Sequence, residues 1–221
     1  MSARKANTPT LKREQIVAAA MAVVDRDGLD ALSMRKLAAE LGVAPMSLYY
    51  HVPDKSALYD LILEAIMSDA DLSGDDPNEP LGDRLLRIAY SLRDALLAHP
   101  HAAIIAMSRS LRTPAQLRPV EKMLEILLGA GLTANEALSA VNIIGQYTFG
   151  TTMAYANHLT DSEFHHDQAG EEAFHALPAD EFPNILRALD EAEIGQSGWN
   201  VDFDAGVHAL VKGLVLDRAK Q

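Results

Sequence analysis

The sequence predicts an all-α fold, and three observations carry that prediction. Apolar residues recur at helical spacing, as in Ile16, Val17, Ala20, Val23 and Val24. Helix-starting residues stand in front of such runs at Ser33, Asp54, Thr113 and Thr133. Strand-like alternation is absent, and so is any internal repeat. At 221 residues, the chain is long enough for one large or two modest domains with a real core. A hydrophobic fraction of 48% against 23% charged is a globular composition. The absence of cysteine excludes disulfides, thiolate chemistry and cysteine zinc sites. No apolar run approaches the roughly 18 residues of a membrane span. Residues 1–9 are polar, carry Arg4 and Lys5, and read as a disordered tail rather than a signal peptide. A soluble cytoplasmic protein is expected.

The elements follow in order. The first helix carries Ile16 to Val24 and stops at Gly28. The second runs from about Met34 to Leu41 behind Ser33. The third is short, about Pro45 to His51, with proline suited to its first turn. Asp54 caps a helix through Leu58, Leu61, Ile62, Ala65 and Ile66. Residues 71–80 lie in a stretch rich in Pro, Gly and Asp that reads as a linker. It divides a domain over 10–70 from a second helical domain over 81–221.

In that second domain, Leu81 to His99 is amphipathic and is interrupted at His99-Pro100. Thr113 and Gln116 form a capping box, and the helix behind them ends at Gly129-Ala-Gly131. A second capping box, Thr133 to Glu136, opens a long apolar helix to about Asn157. Residues 158–180 read as a polar, histidine-rich loop. Helices from about Pro183 to Ile194 and Asp202 to Lys220 close the chain.

Residues 33–59 carry the most information. They read as a helix, a tight turn at Gly42, a short polar helix and the capped start of a further helix, which is the shape of a helix-turn-helix DNA reader. Leu37, Ala38, Leu41 and Val43 supply its packing face, and Leu48 anchors the short helix. Gly42 permits the left-handed backbone of the turn. Ser47, Tyr49, Tyr50 and His51 offer hydrogen bonds to phosphates, while Pro45 and Met46 can touch thymine methyls. Lys55 is a further phosphate ligand, and Arg35 can make a bidentate contact to guanine.

The charge distribution agrees. The formal net charge is −12, yet residues 1–55 hold eight Lys/Arg against six Asp/Glu. The acidic excess is confined to the remainder, away from the reading segment. The competing structural reading makes the segment two packed helices with Tyr49 and Tyr50 half-buried.

The runs Ala31-Leu-Ser-Met-Arg-Lys-Leu-Ala-Ala-Glu-Leu-Gly-Val43, Ser47-Leu-Tyr-Tyr-His-Val52 and Asp54-Lys-Ser-Ala-Leu58 resemble the N-terminal domain of TetR-family transcriptional regulators. They are most similar to the tetracycline-repressor branch. The preceding stretch from Arg13 to Leu29 fits as well. The resemblance implies an N-terminal three-helix helix-turn-helix domain joined to a C-terminal helical dimerisation and ligand-binding domain. It also implies that Arg35, Pro45, Met46 and Tyr49 face bases. Ser47, Tyr50, His51 and Lys55 would then face the DNA backbone.

The second domain resembles the family at Leu92 to Pro100, at Leu124 to Ala156 and at Phe203 to Leu214. The implied partners are double-stranded DNA with a palindromic operator, a second copy of the chain and a small-molecule effector. Small residues of the long helix, among them Gly145, Gly150 and Ala154, suit close helix packing in a dimer. Met107, Gln146, Phe149 and Met153 are the candidate effector-pocket residues.

One departure limits the resemblance. The tetracycline repressor has a histidine metal ligand seven residues beyond the position matching His99, and this chain has Ala106 there. No metal site or cofactor is carried over, and tetracycline is not implied as effector. The cluster His165, His166, Asp167, Glu171, Glu172 and His175 matches no strong zinc spacing. The expected function is a ligand-responsive repressor and not an enzyme. The alternatives are an activator of the same fold and an α-helical metal-dependent enzyme.

Overall fold

The computed structural model describes residues 11–160, 176–191 and 203–216. All regular structure within them is helical. In chain order the helices are α1 (Arg13–Asp27), α2 (Met34–Glu40), α3 (Pro45–Tyr49), α4 (Lys55–Asp69), α5 (Leu81–Leu97) and α6 (Pro100–Ser108). They continue with α7 (Pro114–Gly129), α8 (Ala134–Thr160), α9 (Pro183–Glu191) and α10 (Phe203–Leu216). A 3-10 turn, Leu29–Ala31, separates α1 from α2. No helix among the described residues is long and apolar enough to cross a membrane.

The caps lie where the side chains dictate. Ser33 Oγ accepts from the amide of Lys36 at 3.1 Å, and Asp54 Oδ1 from that of Ala57 at 2.7 Å. Thr113 with Gln116 and Thr133 with Glu136 form reciprocal capping boxes. Each satisfies amides that a helix start leaves without intrahelical partners. His99-Pro100 does more than interrupt α5. The chain turns there and starts α6 with proline at its first position.

Among the described residues, two apolar clusters join α1 to α8 and α10. The first joins Ile16, Ala20, Val23 and Val24 of α1 to Leu37, Leu48, Leu58 and Ile62 of the next three helices. It continues into Leu92 and Leu96 of α5, Ala102, Ala103 and Ile105 of α6, and Met153 of α8. The second joins Leu85 and Ile88 of α5, Met123 and Ile126 of α7, Val141 and Ile144 of α8, and Phe203 and Val207 of α10. Aromatic contacts extend it: Phe203 stacks on Tyr147 at 5.9 Å and meets Tyr90 edge-on at 5.5 Å. Position 206 must be glycine for this packing, because a Cβ there would lie 1.8 Å from Tyr147 Oη.

The stretch expected as a linker is non-helical over 70–80 and firmly tied down. Asp75 receives Arg84 at 2.6 Å and Lys122 at 3.0 Å, so one carboxylate joins the segment to both α5 and α7. Arg87 donates to the Gly74 carbonyl at 3.0 Å and pairs with Glu79. The first cluster runs past this segment, so the N-terminal helices share a core with α5, α6 and α8. Of the histidine-rich loop expected over 158–180, residues 158–160 instead continue α8, which runs to Thr160, and 176–180 are non-helical as expected. The cluster His165 to His175 lies outside the described residues.

Candidate nucleic-acid interface

The short helix α3 is built around one buried residue. Leu48 is fully buried, as are Leu37 below it and Val52 after it. With Leu48 turned inward, the other side chains of α3 must point outward, since the helix is little more than one turn long. Pro45, Met46, Ser47, Tyr49, Tyr50 and His51 are all exposed. Tyr50 retains 85% of its accessible surface, which excludes the half-buried reading for it, while Tyr49 retains 42%. Tyrosine and methionine in such positions cost free energy of hydration unless a partner covers them.

The turn before α3 requires a left-handed residue, and Gly42 supplies it at φ 65°. A Cβ there would meet nothing within 4 Å, so the requirement comes from the backbone and not from crowding.

Ion pairs separate the basic residues into two sets. Arg26 binds both Asp27 and Glu40 at 2.9 Å, and Lys36 binds Asp27 at 2.8 Å. Arg26, followed by Lys36, lowers the Asp27 carboxyl to about 2, and these cations are committed to the fold's own carboxylates. Arg35 is exposed beside them and makes no ion pair among the described residues. Lys55 sits in the first turn of α4 with its Nζ 5.4 Å from the Tyr59 ring centroid. That contact orients the ammonium without neutralising it. Arg35 on α2 and Lys55 on α4 are therefore cations that no carboxylate among the described residues neutralises, in the helices that precede and follow the exposed side chains of α3.

The interface is joined to the rest of the molecule through α4. Arg109, just beyond α6, donates from Nε to Asp60 Oδ1 at 2.8 Å and from its terminal amine to Ser56 Oγ at 2.8 Å. Gln116 of α7, fully buried, donates from Nε2 to the Asp60 carbonyl at 2.9 Å. Asp60 is thus held through both its side chain and its backbone. A second joint lies at the α5–α6 corner, where His99 Nδ1 is 2.9 Å from Asp25 Oδ2 of α1. Sequence reasoning read Gln116 only as a cap and did not single out Asp60 or Arg109. Gln116 does cap α7, accepting from the amides of Arg112 and Thr113, and its amide nitrogen is what reaches α4.

The four candidate effector-pocket residues divide. Met153 is buried, and half-buried Phe149 packs into the same cluster as Ala102, Ala103 and Ile105. Met107 is 55% exposed, and Gln146 is also exposed on α8, so neither joins that group. Among the described residues, no group of three or more His, Asp or Glu is placed to hold a metal ion.

Comparison with known proteins agrees with this arrangement. Residues 16–62 match the model of the bacterial regulatory proteins of the tetR family. Residues 73–216 match that of the tetracyclin repressor-like C-terminal domain. An HTH-type transcriptional regulator of Saccharopolyspora erythraea is 34% identical, with 93% of this chain and 85% of that protein covered. The HTH-type transcriptional repressor DrrR1 of Streptomyces coeruleorubidus is 32% identical, covering 93% of this chain and 78% of the relative. Among solved structures, the Streptomyces coelicolor TetR family protein ActR in complex with (S)-DNPA superposes with a TM-score of 0.80 at 25% identity. That superposition covers 95% of this chain and 100% of ActR. From the glycine turn and outward-facing α3 to the helical C-terminal match, the chain belongs to the tetR family of bacterial regulatory proteins.

Proposed function

We propose that this protein is a ligand-responsive transcriptional repressor that binds a palindromic operator as a homodimer and leaves it when a small molecule binds its C-terminal helices. The observation that carries the reading is the outward row Pro45, Met46, Ser47, Tyr49, Tyr50 and His51, fixed by buried Leu48 and flanked by Arg35 and Lys55. In this reading Arg35, Pro45, Met46 and Tyr49 meet base edges, and Ser47, Tyr50, His51 and Lys55 hold phosphates. Relatives support the two halves of the proposal: one is named a repressor, and ActR has been crystallised with (S)-DNPA.

A homodimer supplies the second reading head. The outward face of α8 carries Leu138, Asn142, Ile143, Gln146, Gly150 and Ala154, all exposed in the single chain. Exposed Ala205, Ala209 and Gly213 on α10 provide a similarly shallow surface. Apolar and small residues there suit close packing against a second copy. The two α3 helices would then enter successive major grooves about 34 Å apart. Release follows if the effector favours a conformer with the wrong spacing, which requires different affinity for two states.

The test is fluorescence anisotropy with inverted repeats from the protein's own promoter region, combined with light scattering. A dimer binding one duplex, with affinity falling steeply as salt rises, is the expected result. A monomer in solution that shows no salt-dependent DNA affinity contradicts the proposal.

A further inference from the structure

Met46 is large, apolar and uncovered. Met34, Met67, Met123 and Met153 are buried, whereas Met46 keeps 66% of its accessible surface and belongs to neither apolar cluster. Its place on α3 explains why. A helix turns by about 100° per residue, so Met46, two residues before buried Leu48, lies almost diametrically opposite it. Tyr50, two residues after Leu48 and still helical in its backbone, falls on the same outer line. Met46 and Tyr50 therefore form the outermost ridge of the short helix, with Ser47 and Tyr49 on its flanks. Met46 stands at the N-terminal end of that ridge, as the second residue of α3.

The chemistry along α3 is as restricted as its geometry. From Ala44 to His51 the chain has no Asn, Gln, Arg, Lys, Asp or Glu. Reading a base through two parallel hydrogen bonds takes an amide for adenine, or a guanidinium or ammonium for guanine. The hydroxyls of Ser47, Tyr49 and Tyr50 make single bonds, and a hydroxyl accepts or donates without choosing between bases. The two ring nitrogens of His51 point apart and cannot share one base edge. A methionine side chain meets one distinguishing feature in the major groove, the C5 methyl group of thymine. In helix-turn-helix readers, the first residues of the second helix are the ones that contact base edges. Arg35 on α2, exposed and without an ion pair among the described residues, is left to take a guanine.

We propose that Met46 is the specificity-determining residue of α3, and that it reads one thymine in each operator half-site through the thymine methyl group alone. This rests on the reading of the protein as an operator-binding regulator, and it says what that operator must contain. The thioether makes no hydrogen bond to the base, so it is blind to the group at C4 and senses only the methyl at C5. It therefore separates thymine from uracil and treats 5-methylcytosine like thymine. Closing Met46 against the methyl also removes from water the apolar surface that the free protein leaves exposed. Burial of one methyl group contributes about fourfold in affinity for each half-site.

The experiment starts from duplexes that the full-length protein enriches out of a randomised library of about 30 base pairs, long enough for two half-sites one helical turn apart. Each thymine of the enriched half-site is replaced in turn by uracil, symmetrically in both halves, and affinity is read by fluorescence anisotropy. One position should lose about fifteenfold, the product of two fourfold losses. At that position, 5-methylcytosine paired with guanine should bind like thymine, and unmethylated cytosine should bind like uracil. Met46→Ala should bind the thymine and uracil duplexes alike, while its thermal melt matches wild type because the side chain packs into neither cluster. The inference is overturned if uracil binds as tightly as thymine at every position, or if 5-methylcytosine binds no better than cytosine. It is also overturned if Met46→Ala keeps the full uracil penalty. Failure to enrich any duplex overturns the regulator reading together with this inference, whereas an enriched duplex indifferent to uracil overturns the inference alone.

Discussion

Gln116 Nε2 donates to the backbone carbonyl of Asp60 at 2.9 Å, from a side chain with no solvent exposure. The same amide group accepts from Arg112 and Thr113 at the start of α7. One side chain therefore ties the beginning of α7 to the middle of α4, the helix that follows α3. Replacing it by leucine keeps the bulk, strands the amides of Arg112 and Thr113 and removes the bond across to α4. Gln116→Leu should lower stability by about 1–3 kcal/mol, read from urea denaturation. It should also weaken operator binding in the absence of effector, because α4 loses a fixed support. Operator affinity equal to wild type would confine Gln116 to a folding role.

Arg35 and Lys55 are predicted to fail differently. Arg35→Ala should cost roughly 1–3 kcal/mol and relax selectivity at one base pair of each half-site. Lys55→Ala should weaken all duplexes alike and reduce the magnitude of the salt slope by about 1 for each phosphate left unneutralised. Anisotropy across a panel of single-base operator variants at several salt concentrations distinguishes the two. Equal losses on every sequence for Arg35→Ala would move it to the backbone-binding set.

The helix-turn-helix segment was legible in the sequence because its determinants are local. Gly42 fixes a turn, Ser33 and Asp54 fix helix starts, and the spacing from Leu37 to Leu48 fixes which side faces inward. The joint at Asp60 was not legible. Its partners Arg109 and Gln116 lie 49 and 56 positions away in the chain, and only the packed helices bring them together. The candidate pocket shows the same limit: Phe149 and Met153 lie within the first cluster's packing, while Met107 and Gln146, equally plausible by composition, face outward. Periodicity tells that a helix has an apolar side, but α8 is packed on several sides, so its polar residues divide only in three dimensions.

Gly42 separates backbone cost from crowding. Its φ of 65° is unfavourable for any residue with a Cβ, yet a Cβ there would touch nothing within 4 Å. Gly42→Ala should therefore fold normally and lose about 1–2 kcal/mol, the cost of holding alanine in the left-handed region. Gly42→Asn should lose less, since asparagine tolerates that conformation. Chemical denaturation of the two variants checks the order. A larger loss for asparagine would show that the turn is limited by space after all.

Asp75 gives the fold an acid-sensitive clasp. Arg84, its main partner, holds the Asp75 carboxyl well below the usual carboxylate range, and Lys122 adds to the effect. A carboxyl depressed on folding contributes stability that is present above its unfolded value, near 3.8, and is lost as pH falls through the lower folded value. Wild type should accordingly keep this contribution at neutral pH and surrender it only on strong acidification. Asp75→Asn retains the shape but not the charge, and leaves Arg84 and Lys122 facing a neutral amide. At pH 7 the variant should be less stable by roughly 1.5–3 kcal/mol, the usual range for hydrogen bonds to charged groups. Urea denaturation from pH 7 down to pH 3 should show the gap beginning to close only below about pH 4. A gap that stays constant down to the lowest pH at which the protein folds would mean that Asp75 acts through shape alone. A gap that widens on acidification would reverse the sign required by a depressed carboxyl.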